Sequence, residues 1–293
     1  MSNRENPIVA IIGAGEMGTA VGRRLMLKGA RVRTSLQGRS RNSGDRVQRA
    51  GLEVVDDESA LVRDADFVLS IVPPGVAIAV AEQYRSLLAA AADRPIFADC
   101  NAISPNTARR IGAVLDGCGC RYVDAGIIGG PPPERLDDAG PRFYASGQHA
   151  HEFAGLAKFG LDISVLDGPI GAASGLKLSY AGLTKGMMAL GAAMISAAAR
   201  EGLADALRAE LARSQPQILA RLAYVPAIFP KAYRWVAEMD EIAEFLGADD
   251  HGAMIYRGAA RLYERIAAER MSAEDTDSIR AIAAFGASTG RGR

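Results

Sequence analysis

The sequence predicts an α/β protein, with a doubly wound, mainly parallel sheet in an N-terminal domain and an all-helical C-terminal domain. Short β-rich apolar runs alternate with helical runs up to about residue 166, and a glycine-rich turn joins the first run to the first helix. After Asp167 strand signals almost cease. Alternating strands and helices indicate parallel strands whose two faces are both covered by helices. We therefore expect an α/β domain over residues 1–166 and a helical domain over residues 167–293.

The strand candidates of the first domain are runs rich in β-branched and aromatic residues. They are Pro7–Ile12, Ala30–Leu36, Glu53–Val55, Asp66–Val72, Pro95–Asp99, Arg121–Asp124, Arg142–Ala145 and Asp162–Leu166. The helical runs between them are Met17–Lys28, Gly75–Ala92 and Ser104–Leu115. Ser104-Pro105 marks a helix start, because Ser is a good N-cap and Pro suits the first helical position.

The second domain contains only helical patterns. They cover Gly171–Leu211, Gln217–Tyr224, Ala232–Leu246, Gly252–Arg270 and Ala273–Ala284, and Ser288–Arg293 is expected to be a loose tail. Gly171–Ala199 is rich in small and apolar residues, but Lys177 and Lys185 interrupt it. A membrane span needs about 20 apolar residues, so we expect this helix to be buried inside protein.

Composition excludes several functional classes. The 293 residues are 49% hydrophobic and carry 34 Lys plus Arg against 34 Asp plus Glu. This balance excludes a broad basic surface for nucleic acid and argues against adsorption to anionic membranes. Three cysteines are too few for a disulfide scaffold, which favours a reducing compartment. The first charges, Arg4 and Glu5, are not followed by the pattern of a signal peptide, so we expect a cytoplasmic setting. We expect no metal site, because Cys118-Gly-Cys120 and the His149/His151 pair lack the usual ligand spacing.

The strongest local motif is the loop Gly13–Gly18, which contains Glu16 and Met17 and lies between a strand and a helix. In a Rossmann-type dinucleotide-binding unit the first glycine makes the tight turn, and the second lets the backbone approach a pyrophosphate. The third, Gly18 here, lets helix and strand pack closely. The helix N-terminus then offers N–H groups to the phosphates.

The segment after the second predicted strand favours NADP over NAD. NAD binding typically uses a carboxylate about 20 residues after the loop. Thr34–Arg41 contains none, and the first carboxylate that follows is Asp45. Arg39 and Ser40 suit a 2′-phosphate, because guanidinium groups match phosphate geometry.

In four segments the sequence resembles the 3-hydroxyacid dehydrogenases related to 6-phosphogluconate dehydrogenase. The segments are Gly13–Gly18, Asp99–Pro105, Asp124–Gly130 and Ala173–Ala181, and their order and spacing match the family's motifs. The C-terminal part resembles a less characterised branch whose helical domain has no assigned function. Three departures fall where the family binds substrate: Asn101-Ala102 replaces Ser-Thr, Ile128 replaces Ser, and Tyr180-Ala181 replaces an Asn pair.

Lys177 is the candidate catalytic residue. It lies on an apolar helix near the domain junction, and it matches the family's lysine. Hydride transfer from a carbinol needs a proton acceptor, which a desolvated lysine can provide. Tyr180 lies on the same helical face and is a candidate substrate-binding residue.

The remaining candidates follow strand ends, where ligands bind in doubly wound sheets. Asn101 is a candidate for substrate or cofactor contact, and Val72-Pro73 should line the cofactor cleft. Gly129-Gly130 offers backbone N–H groups to a substrate carboxylate.

The resemblance implies an NADP-dependent enzyme that interconverts a small 3-hydroxy acid and its oxo form, with or without decarboxylation. Two alternatives stay open: an imine reductase of the same superfamily, and a non-catalytic NADP(H)-binding sensor. We expect a homodimer formed through the helical domain, since Gly171–Ala199 has more apolar surface than one layer of neighbours covers.

Overall fold

A computed structural model describes residues 5–92, 94–247, 249–271 and 277–287. Arg4, the start of the predicted helix Ala273–Ala284 and the predicted tail Ser288–Arg293 lie outside the described residues. The strands are β1 (Ile8–Ile12), β2 (Arg31–Ser35), β3 (Glu53–Val55), β4 (Phe67–Ser70), β5 (Ile96–Asp99), β6 (Arg121–Ile128), β7 (Arg142–Ser146) and β8 (Asp162–Val165).

The helices of the first half connect these strands. They are α1 (Glu16–Leu27), α2 (Arg41–Ala50), α3 (Glu58–Val62), α4 (Ala77–Ala90), α5 (Pro105–Asp116) and α6 (Ala150–Phe153). Later helices are α7 (Ala172–Arg200), α8 (Ala204–Ser214), α9 (Pro216–Leu222), α10 (Ala232–Leu246), α11 (His251–Met271) and α12 (Asp277–Ala287). Short 3₁₀ turns cover Pro74–Val76, Ala154–Phe159 and Val225–Lys231.

All eight strands form one sheet in the order β3-β2-β1-β4-β5-β6-β7-β8. The six strands β1 to β6 are parallel to one another. β7 is antiparallel to β6, and β8 is parallel to β7. The expected fold class is confirmed, because the strand order reverses at β1/β4 and helices cover both faces.

Two apolar cores flank the sheet. Alternate residues of β1 point to opposite faces, so Val9 and Ile11 pack with α1 and α2, whereas Ala10 and Ile12 pack with α3, α4 and α5. Burial on both faces explains why the strands read as continuous apolar runs rather than as alternating patterns.

The pattern did not indicate α2. No helix is predicted between the strand candidates Ala30–Leu36 and Glu53–Val55, yet Arg41 begins α2, with Ser40 as the N-cap residue. This helix is strongly polar and buries only Val47 and Ala50, which leaves little apolar periodicity to detect.

The chain forms two compact units, the first ending at Leu178 and the second beginning at Ser179. The division falls inside α7 rather than at residue 166. The first turn of α7 belongs to the first unit, and the backbone N–H groups of Gly171 and Ser174 join it to Asp124 of β6 by hydrogen bonds. The predicted helical run Gly171–Leu211 is divided between α7 and α8, at a turn where Gly202 adopts φ +71°.

Among the described residues, α7 alone is long and apolar enough to cross a membrane by length and composition. About 44% of its most apolar window is buried inside the protein. Its N-terminal turn is hydrogen-bonded to the sheet. We therefore interpret α7 as a helix of the folded protein.

Candidate active site

The glycine loop between β1 and α1 has a backbone that side chains would disrupt. Gly13 adopts φ +110°, and a Cβ there would lie 2.1 Å from the carbonyl oxygen of Ile71. A Cβ on Gly18 would lie 2.1 Å from the carbonyl oxygen of Gly13. A Cβ on Gly15 would meet no atom within 4 Å. The first and third glycines are thus required by the fold, and the second faces open space.

This loop fits a dinucleotide pyrophosphate. α1 starts at Glu16 after the N-cap residue Gly15, whose lack of a side chain leaves the first turn uncapped by it. Helix N-terminal N–H groups and the helix dipole favour phosphate at such a position. Glu16 is exposed beside this turn, while Met17 packs against the core.

The segment after β2 contains an exposed arginine, Arg39, and the start of α2. Gly38 turns the chain with φ +68°, and Arg39 and Ser40 are exposed. Ser40 is the N-cap residue of α2, whose first turn contains no acidic residue. A negatively charged group is therefore favoured there by both charge and the helix dipole.

A row of buried polar residues crosses four neighbouring strands, level with the carboxyl ends of β4 and β5 and with the middle of β6. Ser70 pairs in register with Asp99, Asp99 with Asp124, and Asp124 with Ser146. All four side chains are fully buried. Buried charges persist only when hydrogen bonds or opposite charges compensate their lost hydration.

Asn101 satisfies Asp99 and connects two strand ends. Its backbone N–H and its side-chain amide donate to the two carboxylate oxygens of Asp99, at 3.0 and 2.9 Å. The amide also donates to Ser70 Oγ at 3.2 Å, and its oxygen accepts from the N–H of Val72 at 2.6 Å. Both amide protons are thus used inside the protein, and one lone pair of the oxygen is left for a ligand. The loop Val72-Pro73 is fixed at the end of β4 by this contact.

Asp124 holds the start of α7. Its carboxylate accepts from the backbone N–H groups of Gly171 and Ser174, at 2.9 and 3.1 Å. It also accepts from the hydroxyls of Ser174 and Ser146, at 2.5 and 3.0 Å. A carboxylate at a helix N-terminus is stabilised by these donors and by the helix dipole. β6 therefore fixes the helix turn that precedes Lys177.

Lys177 lies against the sheet at a glycine. A Cβ on Gly126 would come within 3.0 Å of Lys177 Cβ and 3.1 Å of the carbonyl oxygen of Ala173. A side chain at Gly126 would press against α7, so the glycine favours this close approach of α7 to β6. Lys177 is half-buried, and its stem packs at Gly126.

The charges of Asp124 and Lys177 both influence the pKa of the buried Asp99. Burial raises the pKa of Asp99 to about 7, and nearby Asp124 adds to the rise. Hydrogen bonds from Asn101 and the positive charge of Lys177 oppose it. Lys177 is thus within electrostatic range of a carboxyl group that titrates near neutral pH.

The other predicted substrate-binding residues are Gly129, Gly130 and Tyr180. Gly129 adopts φ +126°, and a Cβ on Gly130 would meet no atom within 4 Å, so this backbone is accessible. Tyr180 belongs to the second unit and is 52% exposed. Their contacts with substrate remain predictions.

Sequence reasoning did not single out Asp99, Asp124 or Gly126 as site residues. The available signal was a carboxylate within an otherwise apolar strand run, at the end of β5 and in the middle of β6. Among the described residues no three His, Cys, Asp or Glu side chains converge on a common point.

Known proteins resemble the chain along most of its length. It is 29% identical over 240 residues to an uncharacterised 28.5 kDa protein of Methanothermus fervidus, covering 81% of this chain and 90% of that protein. The solved structure of MTH1747, a conserved protein of unknown function described as similar to 3-hydroxyacid dehydrogenases, is 29% identical, with TM-score 0.66 and coverages of 90% and 98%. A Mycobacterium tuberculosis 3-hydroxyisobutyrate dehydrogenase bound to L-serine shares the fold, at 19% identity and TM-score 0.69, with coverages of 96% and 99%.

Two family profiles account for the two parts of the chain. Residues 198–266 match a domain of unknown function (DUF1932). Residues 8–154, half of the chain, match the NAD-binding domain of 6-phosphogluconate dehydrogenase. Together with the dehydrogenase fold and the glycine loop, this match means that the chain belongs to the 6-phosphogluconate dehydrogenase-like family of NAD(P)-binding oxidoreductases.

Proposed function

We propose that this protein is an NADP-dependent oxidoreductase that interconverts a small 3-hydroxy acid and its oxo form. The observation that carries the proposal is the placement of Lys177, which packs against Gly126 of β6 and lies within electrostatic range of Asp99. The carboxyl ends of β4, β5 and β6 are where ligands bind in this type of sheet. A lysine held there by a capped helix is suited to exchange a proton with a reacting oxygen.

NADP is the proposed cofactor because of the chain after β2. Gly13, Gly15 and Gly18 would hold the pyrophosphate, and Arg39 and Ser40 would hold the 2′-phosphate. When bound, NADP supplies or takes up the hydride. The exposed Arg39 and the first turn of α2, which contains Arg41 and no acidic residue, suit a phosphate monoester.

In the proposed oxidation Lys177, as the neutral amine, accepts the proton of the substrate hydroxyl while a hydride leaves the carbon that bears this hydroxyl. In reduction the ammonium of Lys177 returns a proton to the oxygen. Asp124 and Gly126 keep the lysine at this position, and Asn101 holds the neighbouring loop. The accessible backbone of Gly129-Gly130 is the proposed receptor for the substrate carboxylate.

Imine reduction is the second candidate reaction. It is favoured by Ile128 and Tyr180-Ala181, which stand where the resembling dehydrogenases have Ser and an Asn pair for substrate. Turnover of cyclic imines but not of hydroxy acids in a substrate panel would support it. Tight NADPH binding without turnover of any member would instead favour the sensor alternative.

Lys177→Met tests the acid–base role. The variant keeps the apolar stem and removes the charge and the proton, so kcat should fall by about 10²- to 10⁴-fold while NADPH affinity is retained. Lys158→Met is the matched control, because Lys158 is exposed on a 3₁₀ turn. Lys185 is unsuitable because it is ion-paired with the buried Glu238 and covers the ring of Trp235. If Lys177→Met kept more than about a tenth of wild-type kcat, the proposed role would be wrong.

The proposed assembly is a homodimer formed through α7. Large apolar side chains on this helix are exposed at alternating spacings of three and four: Tyr180, Leu183, Met187, Leu190 and Met194. Their exposed fractions range from 37% to 74%. Such spacing is typical of a seam between two helices, and a second copy of the chain would offer the same seam.

A further inference from the structure

We propose that a second anion-binding site lies on the outer side of α1 and α2 and takes a small ligand with two or more carboxylate or phosphate groups. The site is a cavity of about 240 Å³ between these helices and the loop after β6. Four arginines line it, Arg23 and Arg24 from α1 and Arg46 and Arg49 from α2. The residues proposed for the 2′-phosphate, Arg39 and Ser40, are not part of its lining, whereas Glu16 of the glycine loop is.

The charges of this cavity are unbalanced. The four guanidinium groups face only two carboxylates, Glu16 and Glu134. Within the described part of the chain none of the four arginines forms an ion pair. Like charges held together raise the free energy of the folded state, and an anion bound between them would lower it.

The four arginines are partly oriented by backbone carbonyl groups. Arg23 donates to the carbonyl oxygen of Glu134 at 3.0 Å, and Arg24 donates to those of Arg135 and Asp138, at 3.2 and 3.0 Å. These contacts hold the loop over the cavity. Each guanidinium has five N–H donors, so further donors are left for an oxyanion.

The arginines of α2 are held in the same way. Arg46 donates to the carbonyl oxygen of Ala14 at 3.1 Å, and Arg49 donates to that of Asp45 at 3.2 Å. Planar guanidinium groups bind carboxylate and phosphate in bidentate fashion, so converging arginines select an anion with several oxygens.

Two buried atoms of lining residues lack partners. Thr19 Oγ1 and Arg24 Nε are buried and have no hydrogen-bond partner among the described residues. Buried polar atoms are normally satisfied, and exceptions often indicate a water or ion that belongs to the site. The cavity volume of about 240 Å³ suits a small anion rather than a drug-sized ligand, whose pockets start at about 300 Å³.

The contact of Arg46 with Ala14 joins this cavity to the glycine loop. An anion that draws on Arg46 would alter the charge next to that loop, so its binding should be coupled to binding of the dinucleotide. Coupling free energies are reciprocal between two sites, which makes the coupling measurable from either ligand.

Calorimetric titration of the whole chain with pyrophosphate and with citrate tests the proposal. Saturating NADPH is present, so that the glycine loop is occupied, and sodium chloride at equal ionic strength is the reference. We expect saturable binding of at least one probe, which then indicates whether phosphate or carboxylate is the preferred chemistry. Arg49→Gln should weaken it at least about tenfold, with NADPH affinity in the absence of the probe unchanged.

Arg110→Gln on α5 is the matched control and should leave anion binding unchanged, because Arg110 is exposed and is not part of this cavity. The proposal is overturned if neither probe binds more tightly than chloride, or if Arg49→Gln binds as wild type does. It is also overturned if saturating NADPH abolishes binding that is seen without it, because the cavity would then belong to the cofactor site.

Discussion

Replacing Asp124 should release the N-terminal turn of α7 from β6 and lower the stability of the fold. In Asp124→Ala the backbone N–H groups of Gly171 and Ser174 lose the carboxylate that accepts from them, inside a buried region. A buried donor left without a partner costs about 1–3 kcal/mol, so two such donors predict a loss of about 2–6 kcal/mol in the free energy of unfolding. The hydroxyls of Ser146 and Ser174 can rotate toward other acceptors and add little.

Urea unfolding followed by circular dichroism measures this loss as a shift of the transition midpoint at constant slope. Asp124→Asn keeps one oxygen acceptor, so it should lose only about 1 kcal/mol. Hydrogen exchange should also accelerate in peptides covering residues 171–178 of Asp124→Ala, because the N-terminal turn of α7 frays.

The exposed Asp116 at the end of α5 provides the control, and Asp116→Ala should change stability by no more than about 0.5 kcal/mol. A loss below about 1 kcal/mol in Asp124→Ala, or equal losses in the Ala and Asn variants, would show that Asp124 does not hold α7 by these hydrogen bonds.

Three further predictions follow from the site and from α7. Because burial raises the pKa of Asp99 from 3.8 to about 7, the folded state binds the proton more tightly than the unfolded state. Stability should therefore fall as pH rises from about 4 to about 7, by up to about 4 kcal/mol, and urea titrations should show this slope flattened in Asp99→Asn. Arg39→Ala should weaken NADPH binding by roughly 10- to 150-fold and leave NADH affinity nearly unchanged, and equal affinities of the two cofactors for the wild type would refute the NADP assignment. Leu183→Glu should convert a dimer to a monomer in light scattering at micromolar concentration, because a charge would enter the seam, whereas the exposed Ala206→Glu on α8 should not, and a monomeric wild type would refute the assembly.

Much of the fold was predictable because its determinants are local. The glycine loop, the apolar strands β1, β4 and β5, and the Ser104-Pro105 helix start depend on backbone conformation and on residues close in sequence. The polar helix α2 was not, since its burial is confined to two residues.

The sequence by itself determined the alternation of strands and helices, the dinucleotide loop and the position of Lys177 on an apolar helix, because periodicity and glycine spacing express local geometry. Only the tertiary structure decided the surroundings of the α7 turn that carries Lys177. Asp99 and Asp124 come from neighbouring strands whose register places them side by side, and Gly126 lets α7 reach the sheet. The antiparallel pairing of β7 and the grouping of four arginines between α1, α2 and a loop are equally non-local. These features depend on contacts between residues far apart in the chain, and no local pattern specifies which distant segments meet.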